Sequence, residues 1–222
     1  MTMVPVIIFG SASLIMSVFY SIFKDKGNWL GFIIRNITML LLLVFAVVTI
    51  NVTSVINGLS LFIAVAMAIN MFYESLQTSK IDNLKIKEIM SSVTRGVTYL
   101  SLMLSAMSLA SFSAYALVGG ALVGLAIGMI VWMIKKTSEA SEAVSYIFAY
   151  ACLGAMIGLG INAVLFSSHV LSAILVLVAG GLLLVSELLS SFLKDGKLKD
   201  ILTSEFKIVA LILLVLAIFL FK

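Results

Sequence analysis

Long apolar runs separated by short polar or basic connections dominate the chain. A membrane-crossing helix needs about 20 largely apolar residues. Eight runs of that order can be laid out, at 4–23, 30–50, 55–73, 89–109, 114–134, 143–166, 170–193 and 206–221. They predict an all-α, polytopic integral membrane bundle of eight transmembrane helices, forming one transmembrane domain over residues 1–222. The connections are too short to hold a soluble domain. The boundary between the fourth and fifth runs rests on a serine-rich segment at 111–113. Pro5 falls in the first turn of the first helix, where its missing N–H breaks no bond. That first run has neither a basic n-region nor a small-residue cleavage site and reads as a retained helix.

Against this apolar background the polar exceptions carry the information. Glu187 is the only acidic residue well inside a run, seven residues before Lys194, or about 10 Å along a helix axis. Arg35 and Arg95 lie at similar depth in the second and fourth runs, measured from the same end. A charge in hydrocarbon costs about 2.5–3.5 kcal/mol, so such groups pair or face a wet cavity. Two readings follow: an ion pair that locks helices, or a polar site open at that end. Asn70 and Glu74 are one turn apart on one face of the third run, with Glu74 expected at the water boundary. Ser91, Thr94, Thr98, Ser101, Ser105 and Ser108 form a hydroxyl stripe on the fourth, with bonding across packed helices favoured over lining a cavity. Gly120, Gly124 and Gly128 in the fifth, with Gly154 and Gly158 in the sixth, predict a tightly packed hairpin.

Composition removes whole classes of function. Hydrophobic residues make up 63% of the 222 and charged ones 11%, against roughly 45–50% and 25% in soluble domains. A soluble enzyme, a nucleic-acid binder and a disordered tail are excluded. The net charge of +4 is spread over connections, leaving no face for nucleic acid. Of the 14 Lys and Arg, 13 fall in or beside the odd-numbered connections, and only Lys222 lies at the other end. The positive-inside rule then places the odd connections in the cytoplasm and both termini outside, in a cell membrane. Trp29 and Trp132 flank two basic connections, as an interfacial aromatic belt requires. Cys152 is the single cysteine and His169 the single histidine, and neither has partners in sequence for a metal or nucleophilic site. Phosphate-loop, zinc-protease and nucleophile-elbow motifs are absent, and no cofactor or metal is expected.

Three segments carry a resemblance to a known family. Arg35-Asn36-Ile37-Thr38 leads into a leucine run, Asn57-Gly58-Leu59-Ser60 opens the third span, and Gly180-Gly181-Leu182-Leu183-Leu184-Val185-Ser186-Glu187 lies in the seventh. In this order, within an eight-span frame of this length, they resemble the YhhN-like proteins, some of which are lysoplasmalogenases. The resemblance covers nearly the whole chain. It implies hydrolysis of the vinyl-ether bond of a lysoether phospholipid, a role in lipid metabolism, and a membrane lipid as partner. Glu187 takes the place of the family's second acid and would be the catalytic proton donor, kept protonated by desolvation. Arg35, Asn36, Asn70, Arg95, Tyr99 and Ser186 form its substrate-binding surround in this reading. The family's first acid falls on Val65 and Ala66, which carry no carboxylate. A homologue that binds a lysolipid without cleaving it is therefore the second form of the same reading. The alternatives are a small transporter using Glu187 as a proton or substrate site, and a scaffold in which the Glu187 pair is structural. Pro5 being the only proline counts against the interrupted spans common in transporters.

Overall fold

A computed structural model describes residues 4–23, 29–54, 56–78, 84–109, 113–135, 140–194 and 196–221. Among them are eight helices and no strand: α1 (Val4–Phe23), α2 (Trp29–Thr53), α3 (Gly58–Thr78), α4 (Leu84–Met107), α5 (Ala114–Lys135), α6 (Ala140–Phe166), α7 (Val170–Phe192) and α8 (Lys197–Leu220). Lys24, Lys26, Lys80, Lys136 and Lys222 lie outside the described residues, as do the side chains of Trp29 and Glu74. Helices are the form such a sequence requires, because a segment in lipid must satisfy its backbone hydrogen bonds internally.

Among the described residues, five helices, α2, α5, α6, α7 and α8, are long and apolar enough to cross a membrane. Not all eight predicted spans meet that measure. The apolar stretches of α1 and α3 are shorter, Val4–Tyr20 and Gly58–Tyr73. Helix α4 carries Lys85, Lys87, Glu88 and Arg95 together with its hydroxyl stripe. The boundaries also shift. Helix α8 starts at Lys197 rather than 206, and α4 at Leu84 rather than 89. An apolar run marks where greasy surface begins, whereas a helix continues into polar residues wherever the backbone can.

Successive helices run antiparallel. In α1 and α2, Thr38 Oγ1 donates to Met16 O at 3.5 Å; in α2 and α3, Ser75 Oγ donates to Asn36 Oδ1 at 2.7 Å. Helices α7 and α8 are tied at both ends, by Ser172 Oγ to Ala217 O at 2.9 Å and Ser186 Oγ to Thr203 O at 2.8 Å. Neighbouring contacts run α1, α2, α3, α4, α6, α7, α8 and back to α1, while α8 also reaches α2 and α3. Helix α8 thus packs against four others, α1, α2, α3 and α7. Helix α5 stands outside the ring, packed mainly on α6. The α5–α6 hairpin is as tight as its glycines predict: a Cβ added at Gly124 would overlap the Tyr150 carbonyl oxygen and lie 2.9 Å from its carbon.

Four of the six hydroxyls in the stripe depart from the favoured expectation. Thr94, Thr98, Ser105 and Ser108 donate to carbonyls of α4 itself. A hydroxyl three or four residues from a carbonyl on its own helix reaches it without any partner helix. The Asn57-Gly58-Leu59-Ser60 segment is a helix start: Ser60 N donates to Asn57 Oδ1 and Asn57 N to Ser60 Oγ, both at 3.0 Å. This reciprocal cap satisfies two otherwise orphaned donors at the start of α3.

Candidate functional site

The ends of α1, α3, α5 and α7 and the starts of α2, α4, α6 and α8 meet at one end of the bundle, where the lysine-rich connections belong. A cavity of about 540 Å³ opens there, within the 300–1,000 Å³ range typical of small-molecule sites. Tyr20, Tyr73, Lys135 and Glu187 reach it from helix C-terminal ends, and Arg35, Arg95, Tyr146 and Lys199 from N-terminal ends.

Glu187 is the hub. Arg95 Nη2 donates to its Oε2 in an ion pair, and Tyr99 Oη donates to its Oε1. Arg95 and Tyr99 are four residues apart on α4, so one helix face supplies both donors. The ion-pair side chains are only 16% and 14% exposed, which weakens water's competition for the charges. The Arg95 guanidinium lies 4.0 Å from the Tyr146 ring centroid, a cation–π contact. Lys135 adds a second cation to that ring: its Nζ is 4.5 Å from the centroid and donates to Tyr146 Oη at 3.0 Å. Across the cavity, Lys207 Nζ lies 5.1 Å from the Tyr73 ring centroid.

Most of the residues singled out in the sequence gather here. Arg35, Asn70, Arg95, Tyr99, Ser186 and Glu187 all line the cavity. The partner of Glu187 is Arg95; Arg35 lines the same cavity with its Nε buried and without a hydrogen-bond partner among the described residues. Asn70 is buried and donates through Nδ2 to Met39 Sδ at 3.0 Å. Asn36 is not among the residues that line the cavity. Its amide is taken up by Phe32 O at 2.9 Å and by Ser75, which fastens α2 to α3. Ala66 is fully buried in the apolar core and is likewise absent from the lining.

The sequence reading missed the contribution of α8. Lys199, Asp200, Thr203, Ser204 and Lys207 all face the cavity because the helix starts nine residues before its apolar run. The signal was available: those residues recur every three or four positions, the spacing of one helical face. Tyr146 and Lys135 were also missed, since their meeting depends on the α5–α6 hairpin. His169 and Cys152 play no part in the cavity. The His169 ring stacks on Phe221 with centroids 4.3 Å apart, and Cys152 is buried in the core.

Chemically, the arrangement offers a carboxylate held by two donors, several further cations and a water-accessible volume at one end of an apolar bundle. No group of three or more metal-ligating side chains occurs among the described residues. No protein-family model, curated protein or solved structure matches this chain.

Proposed function

We propose that the protein is a YhhN-like membrane protein whose cavity binds a lysophospholipid-type amphiphile, with vinyl-ether hydrolysis at Glu187 as its reaction. In this reading all eight helices cross a cell membrane, the lysine-rich end faces the cytoplasm and both termini lie outside. The observation that carries the proposal is the cavity itself. It gathers Arg35, Asn70, Arg95, Tyr99, Ser186 and Glu187 at one end of a bundle whose outer surface is apolar. Such a site takes the head group and the reacting bond while the hydrocarbon chain remains among lipid-facing helices.

The reaction adds a proton to the alkenyl carbon β to the ether oxygen and water to the resulting oxocarbenium carbon; the water returns a proton to Glu187. The hemiacetal's carbon–oxygen bond to glycerol then breaks, its alcohol oxygen taking the hemiacetal hydroxyl proton, to release an aldehyde and the glycerophospho-alcohol. Glu187 supplies the proton when it is in its acid form, with one oxygen still held by Arg95 or Tyr99 and the other turned to the substrate. Asn70 is the polar side chain available to orient water. One observation favours the binding-only form of the reading: both Glu187 oxygens accept hydrogen bonds from the protein, and Ala66 supplies no second acid.

The test is aldehyde release from an alkenyl lysophospholipid by purified protein in lipid nanodiscs. Glu187→Gln retains the shape and loses the transferable proton, so turnover is expected to fall at least 100-fold while lipid binding changes little. Undiminished turnover in that variant would remove Glu187 from the mechanism. Tight lysolipid binding with no wild-type turnover would establish the binding-only form.

A further inference from the structure

The charge of the cavity points to a particular head group. Five cationic side chains, Arg35, Arg95, Lys135, Lys199 and Lys207, line it against two carboxylates, Glu187 and Asp200. Glu205, the next acid along α8, accepts from Ser17 Oγ on α1 at 3.2 Å and does not line the cavity. Clustered tyrosines can form an aromatic cage that holds a trimethylammonium group. Two of the four tyrosine rings that line the cavity already serve cations of the protein: Tyr146 holds Arg95 and Lys135, and Tyr73 holds Lys207. A quaternary amine entering there would meet like charge on both rings.

The unsatisfied polar atoms agree. Among the described residues, three buried side-chain nitrogen or oxygen atoms have no hydrogen-bond partner: Arg35 Nε, Arg95 Nε and Ser204 Oγ. All three belong to residues lining this cavity. Each carries a hydrogen to donate, and buried donors without acceptors are strongly disfavoured. Ser204 is only 3% exposed, and it lies three residues before Lys207, on the same face of α8. Acceptor oxygens on a negatively charged ligand would satisfy these donors and the excess of cations together.

We infer that the cavity binds a phosphate monoester head group, one whose charge is not balanced by an amine, with Arg35, Ser204 and Lys207 as its protein ligands. The guanidinium matches phosphate oxygens in geometry, the lysine supplies a point charge, and the serine hydroxyl donates to a third oxygen. This rests on the proposed amphiphile site for the chain that tethers the phosphate, and not on cleavage of the ether bond.

Calorimetric titration of the full chain in neutral detergent tests the inference with three probes. These are a lysophosphatidate, the lysophosphatidylcholine with the same acyl chain, and glycerol 3-phosphate. The lysophosphatidate is expected to bind at least tenfold more tightly than the choline ester. Arg35→Gln and, separately, Lys207→Gln are each expected to weaken it at least tenfold, and to weaken the choline ester, whose phosphodiester carries less charge, by a clearly smaller factor. Glycerol 3-phosphate binding as tightly as the lysophosphatidate would support the anion site and identify its ligand as a soluble phosphate. Much weaker glycerol 3-phosphate binding would support the site as one for a lipid head group. Equal affinity for the two lysolipids, or lysophosphatidate binding unchanged in both variants, would overturn the inference. Aldehyde release separates this outcome from the hydrolase proposal: a chain that cleaves the choline-headed lipid but shows no phosphate preference fails only here.

Discussion

Replacing Gly124 by alanine is expected to destabilise the fold by about 2 kcal/mol, a large effect for one methyl group. The added Cβ would overlap the Tyr150 carbonyl oxygen and lie 2.9 Å and 3.1 Å from Tyr150 C and Ala151 Cα. All of these are backbone atoms, so no rotamer change relieves the contact and α5 must move away from α6. Helix α5 contacts little else, so the lost approach has no compensation elsewhere. Gly181→Ala in α7 is the matched control. Nothing lies within 4 Å of a Cβ at Gly181, and alanine in a helix interior is favoured over glycine by about 1 kcal/mol. The same substitution thus carries opposite signs at two helical positions. Denaturant titration of both variants in detergent, followed by helicity, measures this; equal stability of the two would mean that α5 and α6 are not in backbone contact.

Arg95→Leu is expected to lose about 3 kcal/mol, the lower end of the range for breaking a buried ion pair by removing one partner. The lower end applies because the two side chains remain 16% and 14% exposed. The loss arises mainly from what remains. Glu187 keeps only the Tyr99 hydroxyl, and the Tyr146 ring loses one of its two cations. Arg95→Leu with Glu187→Leu is therefore expected to recover most of that stability, since a buried pair replaced by apolar groups is often neutral. A double-mutant cycle reads the coupling directly, and additive single effects would mean that the pair does not form.

Much of the fold was legible because a membrane simplifies the code. Apolar runs marked the helices, and the segregation of lysines marked one end of the bundle. The glycines at 120, 124, 128, 154 and 158 announced the close helix pair. Depth along the helices correctly brought Glu187 near an arginine. It did not select between Arg35 and Arg95, because equal depth says nothing about which face of which helix turns toward α7. The same limit applies to Asn36: its position in a suggestive segment did not reveal that its amide oxygen would accept from the Ser75 hydroxyl. The cavity wall from α8 was hidden by the hydropathy itself. Lys199, Asp200 and Lys207 read as connection or boundary, yet they belong to a continuing helix that carries its charges into the cavity.

The central claim is that Glu187 faces water at the lysine-rich end rather than lipid. Thiol labelling in a Cys152→Ser background measures this most directly. Ser190 lines the cavity one turn from Glu187, whereas Val178 on the same helix is 46% exposed on the apolar outer surface. The Ser190→Cys thiol is expected to react with a charged, membrane-impermeant methanethiosulfonate applied to the cytoplasmic face of inverted vesicles, and not from the other face. An anionic reagent is expected to react faster than a cationic one, given the excess of cations in the cavity, and the Val178→Cys thiol is expected to stay unlabelled. A Ser190→Cys thiol that is inert from both faces, or labelled only from outside, would contradict a water-filled site at the lysine-rich end with that end in the cytoplasm, as proposed.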